Sequence, residues 1–181
     1  MDTQLRAGVI GVGALGRHHA RLYKQNEKVK TVGIFDVNRE TAEAVGREFD
    51  IPVFDDWKKL ADSCDLLSVA VPAIYHEECT IPLLNMGKHV LVEKPIASTV
   101  ADAELMVEAA HKNNVILAVG HTERFNPAMD FLEKYKKNTR FIGTPVGMLS
   151  AAAPGHVPPR YGSKRGFGFN DSRYRSCLDY G

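Results

Sequence analysis

Three glycines and one carboxylate are the residues whose types and spacing suggest chemistry first. Gly11, Gly13 and Gly16 follow an apolar run at 7–10 and lead into residues able to form a helix. A strand, a glycine turn and a helix start together present backbone N–H groups at a helix N-terminus. Unpaired donors and the helix dipole there favour an anion such as a pyrophosphate. Gly11 permits the tight turn, Gly13 lets the backbone approach a phosphate, and Gly16 lets the helix pack on the strand. Asp36 closes a second apolar run, 32–35, at the distance a βαβ unit requires. Its carboxylate can accept hydrogen bonds from ribose hydroxyls and would repel a 2′-phosphate, so the pattern favours NAD over NADP. The competing reading of Asp36 is a cap for the helix starting near Asn38 and Arg39; the glycines rank it below the cofactor role.

A second group of side chains carries further chemistry. Lys94 stands between Glu93 and Pro95, where a partly desolvated amine beside a nicotinamide could accept a proton from a substrate hydroxyl. On composition alone, the ordinary reading of Lys94 is a solvated lysine paired with Glu93. His76 is either a cofactor or substrate contact or, more ordinarily, structural. His121 divides evenly between a polar strand end and a substrate contact. Arg17, His18 and His19 read as a solvated helix face.

The elements that must position these groups alternate. Strands are expected at 7–10, 29–35, 52–54, 65–71, 88–92 and 115–119, with helices at 15–24, 39–49, 57–60, 75–86 and 101–112. Asp55 or Asp56 is expected to cap the third helix and Ser98 or Thr99 the last, while Gly87 ends the fourth. The run at 65–71 is apolar almost throughout, as a parallel strand covered on both faces requires. Alternation of this kind predicts an α/β fold, a doubly wound parallel sheet with right-handed crossovers. Ligands of such a sheet bind at the carboxyl ends of the strands, and Asp36, Pro72, His76, Glu93, Lys94, His121, Glu123 and Arg124 all fall there. At 181 residues and a formal charge of +1 the chain can bury a core and has no electrostatic signature of nucleic acid or a membrane surface as a partner. The N-terminus does not read as a signal, and Cys64, Cys79 and Cys177 lack metal-ligand or CxxC spacing. Free thiols in a cytoplasmic protein without a metal are expected.

Several stretches together resemble the Gfo/Idh/MocA oxidoreductase family. They are Gly11-Val12-Gly13-Ala14-Leu15-Gly16 with His19 beyond it, Val71-Pro72 with His76, Glu93-Lys94-Pro95, and the run from Val119 to Pro127 that contains His121, Arg124 and Asn126. The resemblance covers residues 5–137 and rests on several motifs in order, which is more specific than the glycine turn alone. It implies a Rossmann domain and an NAD(P)-dependent dehydrogenase acting on a sugar, inositol or sugar nucleotide. The Arg-Phe-Asn-Pro form of the last motif is similar to that of members acting on UDP-N-acetylhexosamines. The resemblance also implies that Lys94 is the catalytic lysine, that Gly11, Val12, Gly13, Ala14, Leu15, Gly16, Asp36, Val71, Pro72, His76, Glu93 and Lys94 meet the cofactor, and that His121, Arg124 and Asn126 meet the substrate. A non-catalytic dinucleotide-binding module or an inactive fragment is the alternative.

The expected organisation is a Rossmann domain over 1–120, the start of an α+β substrate domain over 121–150, and an irregular tail over 151–181. The tail is rich in glycine, proline, arginine and serine and has neither apolar period. Family members continue into a second domain with an Asp-x-x-x-His motif. Back-translation of 165–178 in the neighbouring frame permits an apolar string that contains this motif. A frameshift near 151–153 is therefore expected to have replaced the second domain. A strand at 145–150 without its sheet is an edge that invites aggregation, so the chain is expected to be monomeric or aggregation-prone where the family associates.

Overall fold

The computed structural model describes residues 4–129, and its architecture follows from five short apolar runs that pair side by side. They form β1 (Leu5–Ile10), β2 (Val29–Phe35), β3 (Leu66–Val69), β4 (His89–Val92) and β5 (Leu117–Val119). All neighbours are parallel, in the order β2-β1-β3-β4-β5. Between and after them run α1 (Gly16–Gln25), α2 (Arg39–Phe49), α3 (Trp57–Asp62), α4 (His76–Asn85) and α5 (Val100–Lys112). This is the expected Rossmann-like α/β fold. The chain leaves β1 for β2 on one side and later returns to β3 on the other, so the strand order reverses at the carboxyl ends of β1 and β3. That is the crevice where open α/β sheets bind ligands.

Two cores cover the two faces of the sheet. Val9 and Ile34 face Ala20 of α1 and Ala42 and Val45 of α2. The next residue of β1, Ile10, points the other way with Leu67, Val69, Val90 and Val92, against Leu60, Leu83, Leu84 and Met106 of α3, α4 and α5. A strand alternates its side chains between faces, and with helices on both sides each central strand is apolar on both.

Local chemistry sets the helix ends. The Asn38 side chain accepts from Thr41 N at 3.1 Å, Asp56 from Lys58 N at 2.8 Å and Thr99 from Asp102 N at 3.1 Å. Gly87, just past α4, adopts φ 73°. One expected strand does not form. Residues 52–54 contribute a single parallel bridge, Ile34 to Val53, because Pro52 has no N–H to donate and the ring of Phe54 folds over Gly33, before Asp56 opens α3. The sheet therefore has five strands where six were expected.

The described residues divide between His121 and Thr122. Beyond the division, Thr122–Phe125 form a 3₁₀ turn, and the Asn126 side chain donates to Glu123 Oε2 at 2.8 Å and accepts from Ala128 N at 3.0 Å. The strand expected at 145–150 and the tail at 151–181 lie outside the described residues. No helix among the described residues is long and apolar enough to cross a membrane.

Candidate active site

The glycine turn joins β1 to α1 at the strand-order reversal. Gly11 has φ 81° and donates to Phe35 O at 2.8 Å; a Cβ there would stand 2.9 Å from Val71 N. At Gly16 a Cβ would collide with the carbonyl oxygen of Gly11, so only glycine lets α1 start this close to β1. Gly13 differs: a Cβ there would meet nothing within 4 Å. The missing side chain at Gly13 therefore serves no neighbour inside the protein and leaves the space before the turn open.

What faces that space is a row of donors. α1 follows Leu15 with no side-chain cap, as α4 follows Tyr75, whereas α2, α3 and α5 are capped. The N–H groups of Ala14, Leu15 and Gly16 find no backbone acceptor among the described residues. Unpaired N–H groups at the positive end of a helix form an anion site. The turn opens into a cavity of about 320 Å³ lined by Gly11, Gly13, Asp36, Val71, Pro72 and Tyr75 among others, within the size range of ligand clefts. The residues present fit a dinucleotide, with the cradle for its pyrophosphate and apolar walls for its adenosine.

Asp36 lies at the end of β2 on the rim of the same cavity. Its Oδ2 accepts from Val12 N and its Oδ1 from Asn38 N, both at 2.8 Å. One carboxylate thus holds the glycine turn against β2. The cap of α2, the competing reading of Asp36, is supplied by Asn38 instead. Two ionised oxygens offer about four acceptor sites, so ribose hydroxyls still find lone pairs there. Arg39, the nearest cation in sequence, is taken up by Glu43 and Asp55.

Across the rim, Lys94 leaves the end of β4 with its side chain exposed, and His121 leaves β5 next to it. The register of Val92 against Val119, continued by Gly120 N donating to Val92 O at 2.8 Å, makes the two strand ends neighbours. Glu93 turns inward and is 6% exposed. Its carboxylate accepts from Lys94 N at 3.1 Å and meets His19 Nε2 at 2.9 Å. The other ring nitrogen of His19 lies 3.0 Å from Ser68 Oγ, which lies 2.7 Å from the Tyr23 hydroxyl. Burial pushes the Tyr23 phenol up from its ordinary value, so it keeps its proton and remains able to donate.

These contacts separate the candidate residues. Gly11, Gly13, Ala14, Leu15, Asp36, Val71 and Pro72 line one cavity. Val12 and Gly16 are buried parts of the turn that shape it. Glu93 and His76 sit behind the rim. His76 is 1% exposed, with its ring nitrogens 2.8 Å from Pro95 O and 2.9 Å from Val71 O, so it ties together two rim loops and has no open face toward a ligand. Arg124 and Asn126 belong to the stretch beyond His121. The expectation of a solvated helix face holds for His18, which is exposed, and for Arg17, paired with Glu48. It fails for His19, whose side chain is only 14% exposed. Two signals could have found it. His19 and Tyr23 are four apart, hence on one face of α1. Ser68 is a lone hydroxyl inside an apolar strand, and a buried hydroxyl needs a partner.

Comparison with known proteins places these features in a wider set. The model of an oxidoreductase family with an NAD-binding Rossmann fold, Gfo/Idh/MocA, matches residues 5–121. UDP-N-acetylglucosamine 3-dehydrogenase of Acidithiobacillus ferrooxidans is 33% identical over 130 residues, 72% of this chain and 41% of that protein. A solved structure of that enzyme superposes with a TM-score of 0.69 at 32% identity, over 73% of this chain and 43% of the other. Inositol 2-dehydrogenase of Agrobacterium fabrum is 34% identical over 164 residues, 87% of this chain and 48% of that protein. The structure of GenD2 from gentamicin A biosynthesis, in complex with NAD, gives a TM-score of 0.62 at 28% identity, over 65% of this chain and 34% of that one. The chain spans less than half the length of these curated relatives.

Proposed function

The chain belongs to the Gfo/Idh/MocA oxidoreductase family, and on that premise we propose that it carries the NAD-binding, lysine-bearing part of a dehydrogenase acting on a sugar-type hydroxyl. The observation that carries the reading is convergence on one rim. The uncapped start of α1 follows β1, Asp36 follows β2 and Lys94 follows β4, so all three stand at carboxyl ends of the parallel sheet whose strand order reverses between β1 and β3. Names printed for relatives at 33% and 34% identity support the substrate class: one acts on UDP-N-acetylglucosamine, another on inositol.

In this reading the N–H groups of Ala14, Leu15 and Gly16 take the pyrophosphate. Asp36 accepts from the adenosine ribose hydroxyls, and a 2′-phosphate would meet its negative charge while Arg39 nearby is already paired with Glu43 and Asp55, which favours NAD over NADP. The bound nicotinamide supplies hydride chemistry. Lys94, in its amine form, accepts the proton of the substrate hydroxyl; as an ammonium it returns a proton to the carbonyl oxygen in reverse. His121, beside it, hydrogen-bonds the same substrate, and Arg124 and Asn126 are assigned to substrate recognition. A UDP-N-acetylhexosamine is the first substrate to assay, supported by the Arg-Phe-Asn-Pro run and the relative of that name.

The test is a titration with NADH followed by turnover, on wild type and Lys94→Ala. NADH binding within about threefold of wild type, together with a loss of turnover on the order of 10²- to 10⁴-fold in the variant, is the expected outcome. Binding without turnover in the wild type on any sugar-type alcohol would instead favour a non-catalytic dinucleotide module or an inactive fragment. Absence of NADH binding would remove the reading altogether.

A further inference from the structure

We infer that His19 is a positioning residue that fixes Lys94 relative to the dinucleotide cradle, acting through the buried carboxylate of Glu93; this rests on the reading of Lys94 as the proton-handling group. Four side chains from three elements form one connected chain: Tyr23 and His19 from α1, Ser68 from β3 and Glu93 from the end of β4. The carboxylate sets its direction. As an acceptor, Glu93 requires that His19 Nε2 carry a proton and that Lys94 N–H donate to its second oxygen. With a neutral imidazole, His19 Nδ1 accepts from the Ser68 hydroxyl, whose oxygen accepts from the Tyr23 hydroxyl. Every donor then has an acceptor, as a network with Ser68 fully buried and Glu93 nearly so must arrange.

The geometry ties two functional groups together. His19 lies three residues into α1, about 4.5 Å along the axis from Gly16, whose N–H belongs to the cradle. The same helix therefore holds the anion site at its first turn and, one turn later, grips the residue before Lys94. Lys94 leaves the sheet with an exposed side chain and no ion pair among the described residues, so its backbone anchor sets where the amine reaches. Gly120 packs against Glu93: a Cβ there would stand 3.2 Å from Oε1, the oxygen that meets His19, so glycine leaves the carboxylate room for that position. A merely structural histidine on α1 would not need to meet the residue whose carboxylate holds Lys94 N–H.

The experiment follows the Lys94 amine directly on the full chain. Lysines are dimethylated with ¹³C-formaldehyde, and the Lys94 resonance is assigned as the one missing from Lys94→Arg. Its shift is then recorded against pH and against saturating NADH in wild type, His19→Ala, His19→Gln and Tyr23→Phe, with NADH affinity from fluorescence and thermal unfolding alongside. In wild type the Lys94 resonance moves on NADH saturation. In His19→Ala, NADH still binds within about threefold, because His19 does not line the cavity, but the NADH-induced displacement is lost and the titration midpoint moves. His19→Gln restores both, since its amide N–H reaches the carboxylate. Tyr23→Phe lowers the unfolding temperature yet leaves Lys94 as in wild type, because the link from His19 to Glu93 remains. Unchanged Lys94 behaviour in His19→Ala, failure of His19→Gln to restore it, or an equal loss in Tyr23→Phe each overturns the inference. Should His19→Ala fail to fold, Glu93→Gln takes its place with the same expected loss, and wild-type behaviour there overturns the inference equally. A wild-type Lys94 resonance indifferent to NADH defeats the reading of Lys94 itself, a result distinct from all of these.

Discussion

Gly13 and Gly16 lie three residues apart in one turn, yet the same substitution is expected to do opposite things at each. In Gly16→Ala the new Cβ lands on the carbonyl oxygen of Gly11, which has little room to retreat: Gly11 N is held by Phe35 O at 2.8 Å, and the turn lies so close to Val71 that a Cβ on Gly11 would stand 2.9 Å from Val71 N. Either α1 backs away from β1 or the turn opens, at about 3 kcal/mol or more, the upper end of overpacking costs. In Gly13→Ala the Cβ meets no protein atom within 4 Å, and the backbone is not in the left-handed region. Stability should rise by about 0.4–1 kcal/mol, because alanine loses less chain entropy on folding. The methyl instead fills the space before the donors of Ala14, Leu15 and Gly16. Losing one charge-assisted hydrogen bond to pyrophosphate costs about 1.5–3 kcal/mol, which weakens NADH binding by roughly 10- to 150-fold. Fluorescence titration with NADH and thermal unfolding of both variants separate the two effects. Gly13→Ala binding NADH within twofold of wild type, or unfolding as early as Gly16→Ala, would refute the cradle.

Three further outcomes follow from single contacts. Asp36→Ala removes the acceptor for ribose and the Oδ2 that holds Val12 N; NADH affinity should fall about tenfold while NADPH affinity holds or rises, so an unchanged NADH to NADPH ratio in parallel titrations would count against the role given to Asp36. Hydrogen bonds from Arg6 hold the Asp65 carboxyl down to about 2, so its contribution to stability is present above the unfolded value of 3.8 and is lost as pH falls from about 5 toward 2. Asp65→Asn should flatten that acid limb of the unfolding temperature, and an equally steep limb in the variant would assign it elsewhere. Burial pushes the Cys64 thiol up to about 12; above its ordinary value of 9 the unfolded chain ionises while the folded chain stays protonated, so stability declines as pH rises past 9. Cys64→Ala should lessen that decline, measured by unfolding at pH 8 against pH 10.

Much of the fold was legible from local signals because those signals are themselves local physics. α2 spans 39–49 as expected, with Asn38 before it, because an amphipathic period, a cap and a helix-ending residue all lie within that stretch. The strand expected at 52–54 has the composition of a strand but owes its single bridge to tertiary contacts with Gly33 and Ile34, which no local pattern encodes. His76 reads in sequence as a ligand contact or, more ordinarily, as structural, and local pattern does not choose between them; its ring nitrogens face the carbonyls of Val71 and Pro95, the second of them 19 positions away in sequence.

The sequence by itself determined the class of the sheet, the glycine turn with Asp36 at the correct interval, and the set of polar residues at strand carboxyl ends. Each of these depends on spacing along the chain, where turn geometry and side-chain period act between near neighbours. The tertiary structure alone decided which of those residues share a site. Arg17, His18 and His19 read alike in sequence, and only the packing of α1 against β1, β2 and β3 sends His19 inward to Glu93, 74 positions away, while His18 stays in solvent and Arg17 pairs with Glu48. A hydrogen bond between elements that distant depends on how the sheet is assembled, and that assembly is set by the two buried cores.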